Sequence, residues 1–218
     1  MKSKQLLYIE FTDHLMKDKT PSLYFNNEYT VEQMKIYPYK MLLELKKAEQ
    51  SKKHHPEGNV WNHTMLVLDQ AASIKERSRE PLVFMWAALL HDLGKPVVTQ
   101  VRKGRITAYN HDREGAKLAR EFLEALTLDY CFIHKVEALV RWHMQILYVL
   151  RDLPFQNIEA MLKDVDINEV ALLSWCDRMG RGGVDTGLER ENVRKFIEIC
   201  ENYKKGVDKT KNSIYNLT

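Results

Sequence analysis

The stretch ALLHDLGKP, residues 88–96, ends a strongly apolar segment with two adjacent ionisable side chains. Gly94 is the residue type expected in the left-handed conformation just after a helix, and Pro96 prevents the helix from continuing. His91 suits the negative end of the helix dipole, but Asp92 does not, because a carboxylate there faces partial charge of its own sign. Asp92 therefore needs a cation, a hydrogen-bond donor or a metal ion beside it. The stretch indicates either a polar helix cap or a metal site.

Apolar residues on both sides of this stretch recur with a period of about 3.6, which predicts an all-α fold. The predicted helices of the main domain cover residues 60–75, 81–92, 111–126, 130–149, 155–163, 167–179 and 188–204. A short β-hairpin is predicted near residues 97–109, where VVTQVRKGRITAYN alternates around a Lys103-Gly104 turn. Glycines at positions 180, 182, 183 and 187 predict a flexible break before the last helix.

The chain is predicted to form an N-terminal helical segment (1–52), packed on a main domain (53–205), followed by a flexible tail (206–218). No apolar run is long enough to span a membrane, and the start, MKSKQLLYIE, lacks the pattern of a signal peptide, so a cytoplasmic protein is expected. The three cysteines are widely spaced and are expected to be reduced thiols. A net charge of +3 does not by itself indicate a nucleic-acid binder.

Several ionisable residues share helical faces with apolar ones, namely His63, His91, Asp92, His143 and Asp177. Each histidine alone fits a hydrogen-bonded core residue. An unpaired buried carboxylate, however, costs on the order of several kcal/mol, and no lysine or arginine at helical spacing is an obvious partner for Asp92 or Asp177. A shared divalent cation would satisfy both carboxylates and would accept imidazole nitrogens. This donor set suits Fe, Mn, Ni, Co or Zn, and also admits Mg.

His111 opens the helical segment HDREGAKLAREFLEAL. From that position it can reach the same site from the N-terminal end of its helix. The alternative is a surface residue in the helix cap region. The sequence alone leaves both roles open for this histidine.

Four stretches together resemble the HD-domain superfamily of metal-dependent phosphohydrolases: HHPEGNVWNHTMLVLDQAA, ALLHDLGKP, YNHDREGAKLA and WCDRMGRG. The resemblance covers residues 53–183, is densest from His54 to Ala125, and is closest to the HD domain of bacterial CCA-adding enzymes, the tRNA nucleotidyltransferases. It implies an HD-domain helical bundle. Because no motif of the nucleotidyltransferase head is recognised, a stand-alone hydrolase is expected rather than CCA addition.

The resemblance also implies the ligands of one metal, which are His63, His91, Asp92 and Asp177. Members of the superfamily with two metals add two histidines, and His111 and His143 occupy those positions here, so two metals bridged by Asp92 are expected. Either one or two divalent transition metal ions would serve as cofactor.

Activities implied for such a domain are those of a 2′,3′-cyclic phosphodiesterase, a 2′-nucleotidase or a phosphomonoesterase. Asp92 would orient the attacking water, and Lys95 would contact a non-bridging phosphate oxygen. Arg113, Arg178 and Arg181 are further candidates for phosphate binding because they lie near His111 or Asp177 in sequence, although surface ion pairs are the alternative. The expected partner is a nucleotide, another small phosphoester or an RNA 3′ end, and His54 and His55 are expected to border the pocket.

Two other classes of function fit parts of the pattern. A non-catalytic RNA-binding or structural module would use the polar residues as a hydrogen-bonded core and lysines such as Lys46, Lys47, Lys52 and Lys53 to contact phosphates; it predicts no bound metal. A di-iron oxygenase is the second alternative, since some HD proteins activate oxygen with two irons. Lys95 beside the site favours an anionic substrate.

Overall fold

The computed structural model describes residues 2–51, 55–102 and 104–215, with the backbone alone for Arg102 and 207–215. Lys52, Lys53, His54 and Lys103, named above, lie outside the described residues. The described chain is helical apart from one hairpin, which confirms the all-α prediction. The helices are α1 (Lys4–Lys17), α2 (Ser22–Asn26), α3 (Glu28–Gln33), α4 (Lys40–Glu44), α5 (Val60–Ile74), α6 (Pro81–Leu90), α7 (Lys95–Val98), α8 (His111–Glu124), α9 (Tyr130–Trp142), α10 (Gln145–Leu150), α11 (Ile158–Asp164), α12 (Ile167–Met179) and α13 (Thr186–Tyr215). Strands β1 (Gln100–Arg102) and β2 (Arg105–Thr107) pair antiparallel.

Helix α6 lies at the centre of the fold. All of its residues from Phe84 to Leu90 are fully buried, and it packs against α1, α5, α9 and α12. A helix that is apolar on every side is typical of a core helix. Because α6 is enclosed by other helices, its C-terminal end delivers His91 and Asp92 into the interior of the protein.

The N-terminal helices contribute to the same core. Helix α1 packs against α6 and buries Leu7, Phe11 and Leu15. The ring of Phe11 meets those of Phe25 and Tyr39 edge-on, each at a centroid distance of 4.8 Å, a favourable arrangement for aromatic pairs. The segment before the HD-like motifs is therefore part of the structural support of α6.

The helix predicted over 130–149 is in fact two helices, α9 and α10, separated at His143 and Met144. The Nδ1 of His143 donates to the carbonyl oxygen of Val140 at 2.7 Å, and Ser174 Oγ donates to the carbonyl oxygen of His143 at 2.9 Å. The carbonyl groups at the end of a helix have no hydrogen-bond partner within the helix, and these two side chains donate hydrogen bonds to them. The break therefore places His143 at a helix end rather than within a continuous helix.

Two further boundaries differ from the sequence prediction. Helix α7 occupies the start of the region predicted as hairpin. Pro96 cannot continue α6, but a proline is favourable in the first turn of a helix, and here it lies in the first turn of α7. At the other end of the chain, α13 continues to Tyr215, through most of the segment predicted as a flexible tail. Lysine is a strong helix former, and the lysine-rich segment extends the helix.

Gly94 has a different role from the predicted one. Its φ of −77° is not left-handed. A Cβ at this position would lie 2.2 Å from the carbonyl oxygen of His111 and 2.5 Å from the backbone nitrogen of Gly115. Only glycine therefore allows the turn after α6 to touch the start of α8, and this contact brings His111 next to His91 and Asp92.

Gly180 is likewise a packing position rather than part of a flexible break. It is buried at the end of α12, and a Cβ there would lie 2.6 Å from Val67 Cγ2 on α5. The two helices that meet at this contact carry Asp177 and His63. A small residue at the contact lets these two side chains approach each other.

Within the described ranges, each helix is too short or too polar to cross a lipid bilayer. Cys131, Cys176 and Cys200 are free thiols, as predicted. Burial raises the pKa of the Cys200 thiol to about 12, so this side chain stays protonated at neutral pH and is a poor nucleophile.

Candidate metal centre

Helices α5 and α12 and the end of α6 bring His63, His91, Asp92 and Asp177 together. His63 Nε2 lies 2.9 Å from Asp177 Oδ1 and 3.8 Å from Asp92 Oδ2. His91 Nε2 lies 3.3 Å from the same oxygen of Asp92. All four side chains are buried. The four residues expected to hold one metal thus form a single cluster.

A second group of nitrogen donors faces the other oxygen of Asp92. His111 Nε2 and His143 Nε2 lie 3.6 Å and 4.0 Å from Asp92 Oδ1, and 3.3 Å from each other. Asp92 therefore stands between two donor groups, with one carboxylate oxygen toward each. A carboxylate in this position can bridge two metal ions.

Three of the histidines are held by the same local hydrogen bond. The Nδ1 of His91, His111 and His143 each donates to the carbonyl oxygen three residues earlier, at 2.9, 2.7 and 2.7 Å. A proton on Nδ1 of a neutral imidazole leaves the lone pair on Nε2. The backbone therefore selects the tautomer in which Nε2, the atom facing Asp92, can bind a metal.

Atoms at the centre lack protein partners for hydrogen bonding. Among the described residues, His91 Nε2 and Asp92 Oδ1 are buried without a hydrogen bond, whereas Asp92 Oδ2 has the ammonium group of Lys95 at 2.7 Å. Buried polar atoms without a partner are unfavourable. Imidazole nitrogens and carboxylate oxygens match the preferences of divalent transition metals. The residues present therefore fit a divalent cation, although the donor set does not select one element.

Glu57 belongs to this region and was missed in the sequence. Its Oε1 lies 2.8 Å from Nδ1 of His63 and 2.8 Å from Nδ1 of His55. Glu57 thus holds the ring of His63 from the side opposite the centre, as a carboxylate commonly holds a metal-binding histidine. Hydrogen bonds from His63 and from its own backbone overcome the opposing effect of burial and lower the pKa of Glu57 to about 2. Its position in the HHPEGN loop gives no periodic signal.

The two buried carboxylates do have cationic neighbours, contrary to the sequence prediction. Lys95 Nζ lies 2.7 Å from Asp92 Oδ2, three residues along the chain, and donates to Gln50 Oε1 at 2.6 Å. Arg181 donates to both oxygens of Asp177 at 2.9 Å. Lys95 follows Asp92 by three residues and Arg181 follows Asp177 by four, which are spacings at which side chains on a helix can pair. These pairs were not predicted because each cation lies beyond the predicted end of its helix.

Ionisation states at the centre suit metal binding. Burial, followed by repulsion from His111 and His91, lowers the pKa of His143 to about 3, and burial also lowers that of His111. Burial acts against ionisation of Asp92, but its neighbours His91 and Lys95 prevail and hold its pKa well below the usual range. For His91 burial is outweighed by Asp92, which raises the pKa of His91, so a cation would compete with a proton there.

The centre borders a cavity of about 330 Å³. Its lining includes five residues of the centre, Asp92, Lys95, His111, His143 and Asp177. His55 also borders it, as expected. Its cationic side chains, apart from Lys95, are Arg151, Arg178 and Arg181. Arg151 was not among the sequence candidates because it lies in a loop. Arg113 is exposed and does not line this cavity but an adjoining one.

A helical fold with clustered histidines and aspartates around a central His-Asp pair defines a class of metal-binding domain. The family model for the HD domain matches residues 60–181, more than half of the chain. The chain therefore belongs to the HD-domain family, whose superfamily generally consists of metal-dependent phosphohydrolases.

Curated relatives include proteins named Multifunctional CCA protein and an A-adding tRNA nucleotidyltransferase. The chain is 26% identical over 181 residues to the Multifunctional CCA protein of Mannheimia succiniciproducens, covering 80% of this chain and 42% of that one. It is 36% identical over 93 residues to the A-adding tRNA nucleotidyltransferase of Deinococcus radiodurans, covering 42% and 20%. A third relative, the Multifunctional CCA protein of Actinobacillus pleuropneumoniae, is 38% identical over 77 residues, covering 35% and 18%. The predicted resemblance is confirmed, and the chain spans less than half the length of each relative.

Proposed function

We propose that the protein is a metal-dependent phosphohydrolase that hydrolyses a nucleotide or a related phosphoester. Candidate activities are those of a 2′,3′-cyclic phosphodiesterase, a 2′-nucleotidase or a phosphomonoesterase. The observation that carries the proposal is the placement of Asp92, whose two buried oxygens each face a separate group of Nε2 atoms. A hydrogen-bonded core would not leave Asp92 Oδ1 and His91 Nε2 buried without hydrogen-bond partners.

In this proposal His63, His91, Asp92 and Asp177 hold one divalent metal, and His111 and His143 with Asp92 hold a second. A divalent metal, when bound, lowers the pKa of a coordinated water and offsets the charge of phosphoryl oxygens. The protein's own contribution is to fix the ligands. Backbone carbonyls hold His91, His111 and His143, and Glu57 holds His63.

The substrate phosphate would be bound by cations that border the cavity. Lys95 is the first candidate because its ammonium group is already at the centre, 2.7 Å from Asp92. Arg178 is a second, since it borders the cavity and its ion pair with Glu189 is long, at 4.0 Å. Arg151 reaches the same cavity from the loop after α10. Arg181 also lines this cavity and donates to both oxygens of Asp177 at 2.9 Å, so it remains a further candidate.

Two observations weigh against a module that uses its lysines to contact RNA. Lys46 Nζ lies over the ring of Trp61, 4.9 Å from its centroid, and Lys47 pairs with Glu44 at 2.7 Å. These lysines therefore have partners within the protein. An RNA 3′ end, in this proposal, is a substrate that enters the cavity and not a strand bound along the surface.

The test combines metal analysis with a substrate screen. Purified protein is analysed for bound metal and assayed with a 2′,3′-cyclic nucleotide, nucleoside monophosphates and a generic phosphodiester. The double variant His91→Ala, Asp92→Ala should lose metal and lower hydrolysis by at least about a hundredfold, because it removes ligands and the water-orienting carboxylate. His134→Ala, at an exposed histidine of α9, is the matched control and should keep both. Natively folded protein that takes up no metal, or hydrolysis that is unchanged in the double variant, would refute the proposal.

A further inference from the structure

A second cavity adjoins the one beside the metal centre. It has a volume of about 390 Å³ and shares the residues Ala108, His111, Met144 and Leu147 with the polar cavity. His111, a proposed ligand, is thus a wall between the two spaces. A molecule held at the metal centre would have to pass beside His111 to reach this second cavity.

The second cavity differs in character from the first. Its lining includes Tyr148 and Phe155, whose ring centroids are 5.6 Å apart at an interplanar angle of 58°. Leu147 and Leu153 add aliphatic surface. Phe155 is 47% exposed, so its ring is not required to fill the core. An aromatic ring that remains half in water beside a polar centre is typical of a binding surface.

The loop that carries Phe155 is held in place from below. Gln145 is fully buried, and its amide holds the backbone at Phe155 and just after it: Nε2 donates to the Phe155 carbonyl oxygen at 3.4 Å, and Oε1 accepts from the backbone nitrogen of Asn157 at 2.9 Å. Both hydrogen bonds of this buried amide go to the backbone of the loop, so they hold the loop in place. The backbone that carries the exposed ring is therefore anchored before any ligand arrives, which reduces the entropy lost on binding.

The same loop begins with Arg151, which borders the polar cavity. One short segment thus places a guanidinium group at the polar cavity and an aromatic ring at the second cavity. Resting on the proposed function, we infer that the substrate is a phosphoester whose alcohol carries a planar aromatic group. Its phosphate occupies the polar cavity, and its ring packs against Phe155 and Tyr148. A nucleobase and a simple aryl ring share this chemistry.

Binding measurements test the inference separately from catalysis. Isothermal titration of metal-free and of manganese-loaded protein would compare AMP and phenyl phosphate, which carry rings, with ribose 5-phosphate and inorganic phosphate, which do not. The ring-bearing ligands should bind about tenfold more tightly, the scale of one aromatic stacking contact. Tighter binding of AMP than of phenyl phosphate would identify a nucleobase site, and equal binding would identify a general aryl site.

Variants at position 155 provide the second comparison. Phe155→Ala should remove the advantage of the ring-bearing ligands and leave inorganic phosphate unaffected, whereas Phe155→Tyr should retain it. Leu128→Ala, at a residue 79% exposed and outside both cavities, is the control. The inference is overturned if both protein forms bind AMP and phenyl phosphate no more tightly than ribose 5-phosphate, or if Phe155→Ala changes nothing. Failure of hydrolysis, by contrast, would refute the proposed function alone.

Discussion

Replacing Gly94 by alanine tests how the fold builds the centre. The turn after α6 and the start of α8 approach so closely that a Cβ on residue 94 would meet the carbonyl oxygen of His111 at 2.2 Å. The nearest other atom, the backbone nitrogen of Gly115, would be at 2.5 Å. Both are backbone atoms, so a side-chain rotation cannot relieve the contact. The two elements would have to separate.

The size of the effect follows from these distances. The carbonyl oxygen of His111 is about 1 Å closer than ordinary van der Waals contact permits. Overpacking of this kind typically costs about 1–3 kcal/mol, and the strain here falls on backbone. Because His111 belongs to the segment that must move, its Nε2 should also move away from Asp92 Oδ1, now 3.6 Å away. Gly94→Ala should therefore lower both the free energy of unfolding and the affinity for a second metal.

Urea unfolding of the metal-free protein measures the first effect, and a metal titration of the folded variant measures the second. Gly206→Ala is the matched control, since a Cβ there would meet nothing within 4 Å and alanine favours a helix. It should be neutral or slightly stabilising. A Gly94→Ala variant as stable as the parent, with unchanged metal binding, would refute the argument that this close approach assembles the centre.

Three further predictions concern groups around the centre. Glu57→Gln should weaken metal binding by about 10–100-fold with little change in stoichiometry, because the carboxylate that holds His63 is lost while the ligands remain; a titration with unchanged affinity would contradict this role. Lys95→Met should raise KM for a phosphoester more than it changes bound metal, and inorganic phosphate should bind less tightly; an unchanged KM would exclude Lys95 as a phosphate contact. Removing metal with a chelator should lower Tm by about 5–10 °C, which corresponds to the loss of about 2.7 kcal/mol for a ligand present at about a hundred times its Kd; equal Tm values with and without metal would argue against a tightly bound ion.

The helical periodicity of apolar residues was sufficient to predict much of the fold and to predict which ionisable side chains point into the core. Helix α12 begins and ends where predicted, and its inward-facing Asp177 lies at the centre. The same reasoning gave His63 on α5 and His91 at the end of α6. These residues could be found because each shares a face with apolar neighbours, which is a local property of one helix.

Contacts between distant or irregular segments could not be found in this way. Glu57 and Arg151 lie in loops, and Gln50 lies 45 residues from the lysine that it holds. Gly94 carried a strong but misleading local signal, since a glycine after a helix usually indicates a left-handed residue. Its actual role depends on α8, which only the tertiary structure brings near. The cationic partner of Asp92 was missed for a related reason, because the turn that carries Lys95 is not helical throughout.

Asp92 is proposed to join two groups of ligands around divalent metal. The most direct measurement is the metal stoichiometry of purified protein and of Asp92→Asn, loaded with manganese or zinc and followed by titration. The parent protein should bind up to two ions per chain, and Asp92→Asn should lose or strongly weaken both sites while keeping the fold. Folded parent protein that binds no divalent metal, or an Asp92→Asn variant that binds metal as the parent does, would contradict this role of Asp92.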